Sequence, residues 1–194
     1  MRDLKNKLTS GKSTKNKKTR KVKGFGYQVL GFGAGGSNPP VDFDFLIIAG
    51  GGGAAGGGGG ADGFRTSFPG GTKLTFEAGS TPITVGGGGG TSTKGSDSIL
   101  ALGTPFESTG GGAGVGANVD PSTNGGSGGG GTLRAPCFPQ RTGGTGNQGG
   151  YSPPEGNNGA DANNSVNPGP RSGVGGGGGG AGSAGTQGTG NAGP

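Results

Sequence analysis

Uninterrupted runs of glycine constrain this chain more than any other feature of its sequence. The five long runs lie at residues 50–53, 56–60, 86–90, 128–131 and 175–180. Residues without side chains cannot form an ordinary hydrophobic core, but they leave every backbone N–H and C=O group uncovered. Neighbouring runs can therefore bond to one another laterally as extended helices that rise about 3.1 Å per residue. We expect the function of such a chain to lie in its architecture and surface rather than in chemistry.

The composition leaves two states open. The chain has 58 glycines and 13 prolines among 194 residues, only 25% of its residues are hydrophobic, and it has no tryptophan. Such a content of glycine and proline is typical of low-complexity or disordered chains. Collagen is excluded because it requires glycine at every third position, whereas these runs are contiguous. The sequence therefore predicts either a disordered chain or a solid held together chiefly by backbone hydrogen bonds.

The cysteine and histidine counts argue against catalysis. Cys137 is the only cysteine, and histidine is absent. An intrachain disulfide framework, a Cys/His zinc site and catalysis by Ser/His or Cys/His pairs are therefore excluded within one chain. We predict that the protein is not an enzyme and has no catalytic, cofactor-binding or metal-binding residues. Cys137 is expected to act as a small apolar residue between prolines.

The sequence shows no signal for secretion or membrane insertion. The basic N-terminus is not followed by an apolar run of signal-peptide length. The longest apolar segment, at residues 45–49, is too short to span a bilayer. We expect no membrane insertion. If the protein reaches an exterior, we expect it to do so on a particle or by cell lysis rather than by the secretory pathway.

Positive charge is concentrated at the N-terminus. Residues 1–23 hold ten basic side chains against the single acidic Asp3, while the rest of the chain holds six basic and nine acidic ones. Charged blocks of this kind are commonly solvated interaction arms. On charge alone, three roles are open: docking on an acidic protein surface, binding nucleic acid, or solubilising the chain.

Residues 24–34 interleave aromatic residues with glycine, which suits an extended segment that inserts its side chains into the grooves of a partner. Single-strand nucleic-acid binders also carry such aromatics, but this segment has no Arg or Lys to track phosphates. Docking on a protein is therefore favoured. The predicted anchoring residues are Lys15, Lys17, Lys18, Arg20, Lys21, Lys23, Phe25, Tyr27, Val29 and Leu30.

Beyond this arm the sequence predicts short strands and no helix. Asn38, Pro39 and Pro40 mark a boundary, because proline fixes φ and favours an extended preceding residue. Residues 41–49 form the strongest predicted strand, beginning at a surface and ending buried. Further strands are predicted at residues 73–77, 82–85 and 98–102, with turns at 68–71 and 78–80. The predicted fold class is mainly β or irregular, with short β-strands, packed polyglycine-II-like helices and essentially no α-helix, preceded by an extended basic N-terminal arm.

The order of motifs around the glycine runs resembles a known family. The motifs are FLIIA at residues 45–49, ADGFRTS at 61–67, TKLTFEAGSTPITV at 72–85, KGSDSIL at 94–100, GGSG at 125–128, GGTGNQGGYSPPEGNN at 143–158 and the last glycine block at 175–182. Over residues 41–194 this order resembles the glycine-rich domain of marine bacteriophage structural proteins and tail fibres.

The resemblance implies polyglycine-II rods packed side by side, with strands and loops at their ends. The five long runs, helped by residues 110–112, would form the rods, and the connecting segments would form the surface. A Cβ directed at a neighbouring rod has no room in such packing. Both Gly88→Val and Gly178→Val are therefore expected to overcrowd it.

The resemblance also implies a virion component on the exterior of a phage particle. Residues 1–40 would be a basic, aromatic-containing extended arm that anchors the protein to other virion proteins of the capsid or tail. Residues 41–194 would be a fibre-like or adhesin-like glycine-rich domain that attaches to a host-surface receptor, or that decorates and reinforces the particle. The expected assembly is a homo-oligomer, with a trimer as one candidate.

The main alternative is a nucleic-acid-binding protein with a basic arm and a disordered glycine-rich tail. A tail of that kind is expected to interleave Arg with aromatic residues. The only basic residues within 110–194 are Arg134, Arg141 and Arg171, which counts against this alternative. A third class, glycine-rich ice-binding proteins, requires a regular Gly-X-X repeat, and no such period is visible.

Overall fold

Seven short β-strands and a set of extended glycine-rich segments make up the part of the chain that the structure describes. The computed structural model describes residues 39–116, 123–132, 141–163 and 173–189, and the chain divides into two units between Pro39 and Pro40. The strands are β1 (Val41–Phe43), β2 (Leu46–Ile48), β3 (Phe64–Thr66), β4 (Leu74–Phe76), β5 (Ile83–Thr84), β6 (Ser98–Leu100) and β7 (Phe106–Ser108). The described residues contain no α-helix, so the predicted mainly β and irregular fold class is confirmed for them.

The strands pair antiparallel in three small sheets. β1 pairs with β4, β2 pairs with β3, and β5, β6 and β7 form a sheet in that order. β2 also contacts β6 and β7, which brings these two sheets together. In the sheet formed by β1 and β4, the rings of Phe43 and Phe76 lie 5.2 Å apart, edge to face. This arrangement stabilises a strand pair.

The predicted continuous strand at residues 41–49 is wrong, because the chain breaks at Asp44 and Phe45 into β1 and β2. Ser67 causes the break: its hydroxyl accepts the N–H of Phe45 (2.9 Å) and donates to Asp44 Oδ1 (2.9 Å). The Ser67 hydroxyl, and then Lys73, lower the pKa of the Asp44 carboxyl by hydrogen bonding to it. With these groups engaged by Ser67, β1 and β2 pair with different strands.

The second half of that segment also differs from its predicted burial. Leu46 and Ile48 of β2 are about half exposed, and only Ala49, at the end, is buried. β2 belongs to a two-stranded sheet, which cannot cover the residues of both faces. The predicted burial is therefore confirmed for Ala49 and wrong for Leu46 and Ile48.

The glycine-rich segments bond to one another laterally through their backbones at intervals of three residues. Gly111 donates its N–H to the carbonyl of Gly50 (2.8 Å), and Gly114 donates to that of Gly53 (3.0 Å). The same spacing recurs between residues 58–61 and 176–179 and between residues 128–131 and 157–160. Three residues per turn is the period of the polyproline-II helix, so the predicted lateral packing of glycine runs is borne out.

Segments that are not pure glycine join the same bundle. Residues 93–96, 141–147, 156–163 and 183–188 bond laterally to glycine runs. In the first of these, a Cβ added at Gly95 would overlap the carbonyl of Gly50, whereas the neighbouring Ser96 is exposed. Since one side of an outer segment faces solvent, polar residues are accommodated there and glycine is needed only on the inner side.

The crowding around each glycine shows how deep a run lies. In the outer run at residues 86–90, an added Cβ would strike a neighbour at Gly86 and Gly89, three residues apart, and would meet open space at Gly87 and Gly90. In the run at residues 128–131, an added Cβ would strike neighbouring backbone at every position. The first run therefore has one crowded side, whereas the second is surrounded.

The structure supports the expected overcrowding for Gly178→Val but not for Gly88→Val. A Cβ at Gly178 would overlap the carbonyl of Gly59, so the structure supports overcrowding at that position. At Gly88 the nearest atom to an added Cβ is the carbonyl oxygen of Gly51, 3.7 Å away, which is an ordinary contact. The expected overcrowding at Gly88 is therefore wrong, because this residue lies on the open side of an outer run.

Backbone rather than side chains forms the centre of this bundle. The buried apolar side chains among the described residues are Ala49, Leu100, Ala113, Val115 and Ala162. Where a backbone N–H lacks a backbone acceptor, a side-chain oxygen often accepts it; these acceptors include Asp97, Thr123, Asn124, Asn158 and Asp161. The interior N–H groups are therefore paired although the bundle has few large side chains.

Candidate functional site

The ten anchoring residues predicted from the sequence lie outside the described residues. They run from Lys15 to Leu30, and the described part of the chain begins at Pro39. Cys137 also lies outside the described residues. The structure therefore neither brings the predicted anchoring residues together nor separates them.

A cleft beside β3 and β7 is a candidate site in the described part of the chain. We call it the aromatic cleft; it has a volume of about 420 Å³. Its walls include Phe45, Phe64, Arg65, Phe68, Phe106 and the Ser152-Pro153-Pro154 segment. A site of this size falls within the range of about 300–1,000 Å³ that is usual for small-molecule pockets.

The Arg65 guanidinium is held between two aromatic rings at the edge of the cleft. Its central carbon lies 3.8 Å from the centre of the Phe106 ring and 3.7 Å from that of Tyr151. Each ring face attracts the cation, and the attraction strengthens as the group is desolvated. The two rings together fix the plane of the guanidinium.

The in-plane hydrogen bonds of Arg65 are mostly unused. One terminal nitrogen, Nη1, donates to the backbone carbonyl of Glu107. Within the described residues, no carboxylate lies close enough to Arg65 to form an ion pair. The other N–H groups of Arg65 have no acceptor among these residues. Their nitrogens are not fully buried, so a ligand can reach them. Arg65 therefore presents free donors in the plane between the two rings.

Glu155 holds the loop that carries Tyr151 against the strands. Its side chain is 1% exposed, and its carboxylate accepts the N–H groups of Thr109 (2.9 Å) and Gly149 (3.3 Å). Its backbone carbonyl accepts the N–H of Phe64 (2.7 Å). A Cβ at Gly63 would lie 2.5 Å from the carboxylate, so this position must remain glycine for the loop to approach β3 so closely.

Tyr151 is fixed at both ends. The side chain of Asn147 accepts the Tyr151 N–H and donates to its carbonyl, both at 3.1 Å. The phenol donates to the Glu107 carboxylate at 3.3 Å. Burial, and then the charge of Glu107, raise the pKa of Tyr151, an effect that the Arg65 cation opposes.

The remaining walls of the cleft offer flat apolar surface. Phe64 is 41% exposed and Phe68 is 72% exposed, although both are large apolar side chains. Phe45 supports the Phe106 ring edge to face, with centroids 4.6 Å apart. The cleft thus combines exposed aromatic surface with one cation whose orientation is fixed.

A second concave surface lies on the other strands. It is an apolar groove of about 370 Å³ that includes β2, Ile83, Val85 and Leu100 in its walls. Ile83 and Val85 are 70% and 80% exposed. Contiguous apolar surface of this kind often marks an interaction surface.

Sequence reasoning missed Arg65, Phe106 and Tyr151 as site residues. Arg65 and Tyr151 lie in separate motifs, at residues 61–67 and 143–158, and nothing in the spacing of these motifs indicates that the two residues meet. The only available indication was the rarity of such residues, because aromatic residues make up 6% of the chain. Their meeting depends on the pairing of β2 with β3 and on the anchoring of the loop by Glu155.

Comparison with known proteins identifies no relative. No protein-family model, curated protein or solved structure matches the chain. Within the described ranges, no helix is long and apolar enough to cross a membrane, and no group of three or more His, Cys, Asp or Glu side chains is placed to hold a metal ion.

Proposed function

We propose that the protein is a structural, non-enzymatic component on the exterior of a bacteriophage virion, as an exposed fibre or decoration protein. Residues 1–40 anchor it to other virion proteins of the capsid or tail. The glycine-rich domain projects outward and serves attachment to the host surface or reinforcement of the particle. The proposal extends the resemblance of the motifs in residues 41–194 to phage glycine-rich domains.

One observation carries the proposal furthest: the glycine runs form a bundle through lateral backbone hydrogen bonds. A bundle of this kind is stiff without a large hydrophobic core, because its cohesion comes from peptide groups present at every residue. It supports strands, loops and the aromatic cleft, as a display scaffold must. This architecture suits a passive, exposed role better than it suits catalysis.

The exposed apolar residues of the strands support a role in assembly. Val41 and Phe43 are each half exposed, and Ile83 and Val85 are more exposed still. Exposed apolar residues that lie together often mark an interaction surface. It is consistent with contact between copies of the chain or with other virion proteins.

Purified particles test the proposal directly. We expect mass spectrometry and antibody labelling to find the protein on intact particles, and deletion of residues 1–40 to remove it from particles while the remaining domain stays folded. Protein on the surface should be accessible to the antibody without disruption of the particle. Absence of the full-length protein from particles, in a host that produces it during infection, would contradict the proposal.

A further inference from the structure

The unused hydrogen-bonding capacity of Arg65 is the feature of the described residues that most needs a ligand. The two rings cover the faces of the guanidinium, so a ligand has access only in its plane. In that plane, free N–H groups form a rigid fork that matches the two oxygens of a carboxylate, sulfate or phosphate. The geometry therefore selects an oxyanion rather than a neutral acceptor.

The charges of the residues that line the cleft also favour an oxyanion. None of the residues that line it is acidic, and Arg65 is its only cationic lining residue. An anionic group would meet one fixed positive charge there and no carboxylate in the wall. A cationic ligand would meet a like charge at Arg65 and no acidic residue in the wall to pair with.

The rest of the cleft suits a compact body with apolar faces attached to the oxyanion. Phe64 and Phe68 expose large parts of their rings, and Pro153 and Pro154 add apolar surface. The negative face of an aromatic ring attracts the polarised C–H groups on the flat side of a sugar ring. A sugar that carries an acidic group can occupy both parts of the site at once.

We propose that the aromatic cleft binds a sugar unit bearing an oxyanion, such as a uronic acid or a phosphorylated sugar of a surface polysaccharide. Arg65 binds the oxyanion through its in-plane N–H groups, and Phe68, with Phe64, stacks on the sugar ring. Phe106, Tyr151 and Glu155 are positioning residues that hold the guanidinium and the loop. This inference rests on the proposed role in host attachment and specifies the chemistry that attachment would recognise.

Ligand-observed NMR on the full-length protein, with pure sugars as probes, tests the site. We expect glucuronate and glucose 6-phosphate to bind at least tenfold more tightly than glucose. Acetate and inorganic phosphate should bind more weakly than the acidic sugars, because they lack a ring to stack. Equal binding of glucose and glucuronate would overturn the role of Arg65, and equal binding of acetate and glucuronate would overturn the role of the sugar ring.

Two substitutions separate the parts of the site. Arg65→Lys keeps the charge but loses the fork, and should reduce binding of the acidic sugars at least tenfold. Phe68→Ala, at a largely exposed ring where the fold is expected to tolerate the change, should weaken all the sugars and leave the preference for acidic ones. The matched control is Lys94→Gln, which removes a cation that does not line the cleft and should leave binding unchanged. Wild-type binding by both Arg65→Lys and Phe68→Ala would overturn the proposal.

The outcome for this site can be distinguished from that for the proposed function. Sugar binding is measured on purified protein and does not depend on particles, whereas the proposed function requires incorporation into particles. If both hold, particles carrying Phe68→Ala should contain the normal amount of the protein but adsorb to host cells more slowly. Normal adsorption by such particles, in a host to which the protein mediates attachment, would overturn the assignment of the cleft to attachment.

Discussion

Gly88 and Gly89 are neighbours in one run, yet alanine should have opposite effects at the two positions. A Cβ at Gly89 would overlap the carbonyl oxygen of Thr93 and lie 2.8 Å from both the carbonyl carbon and the carbonyl oxygen of Lys94. A Cβ at Gly88 would lie 3.7 Å from its nearest neighbour, and the φ angle there is not left-handed. The pair is a matched test of whether the lateral packing exists.

The expected difference in the free energy of unfolding follows from the contacts. Overpacking at Gly89 costs about 1–3 kcal/mol. Displacement of Thr93 also weakens its hydrogen bonds with Gly53 and Gly90, both 2.9 Å long, at about 0.5–1.5 kcal/mol each. We therefore expect Gly89→Ala to destabilise the domain by about 2–6 kcal/mol. Gly88→Ala should stabilise it by about 0.4–1 kcal/mol, because alanine restricts the unfolded chain.

Urea and thermal unfolding of the wild type and both variants measure these effects. For a chain of this size a loss of 1 kcal/mol lowers Tm by about 2–4 °C, so the two variants should differ by at least about 5 °C. Equal stability of Gly88→Ala and Gly89→Ala would refute the reasoning. A disordered or solvated glycine segment would give that result, since it has no inner side.

Three further predictions concern the site and the arm. Glu155→Ala leaves the N–H groups of Thr109 and Gly149 without their acceptor. Because Gly149 is exposed and its N–H can bond to water, the loss at Thr109 dominates, and we expect a cost of about 1–3 kcal/mol in urea unfolding. The exposed control Glu77→Ala should stay within about 0.5 kcal/mol of wild type. In a Tyr27→Phe variant, phenolate absorbance should place the titration of Tyr151 above the usual value of about 10. Because folding raises this pKa, the stabilising contribution of Tyr151 is present at lower pH and is lost as pH rises through the folded pKa. A midpoint at or below the usual value would contradict the partly buried position of the phenol beside Glu107. The double variant Phe25→Ala, Tyr27→Ala should lose incorporation into particles if the arm docks on protein, whereas normal incorporation with tight, salt-sensitive binding to single-stranded DNA would favour the nucleic-acid alternative.

Several features of the fold follow from the sequence alone because their causes are local or compositional. The absence of α-helix in the described residues follows from the high glycine content and the lack of helical periodicity. Lateral bonding of the glycine runs follows because their peptide groups are uncovered and must find partners. β6 was predicted close to its observed position, since Ile99 and Leu100 form a short apolar run bounded by turn-forming residues.

The tertiary structure decided what depends on distant neighbours. The strand at residues 41–49 is broken by Ser67, a residue more than twenty positions along the chain from the break. Gly88 and Gly89 are indistinguishable in sequence, and only the position of their run at the outside of the bundle makes one open and the other closed. Arg65 becomes a candidate binding residue only because pairing and loop anchoring bring the Tyr151 ring onto its face. The sequence alone determined that backbone would hold this protein together, whereas the arrangement of the segments decided which side chains meet, because a glycine run does not itself specify its neighbours.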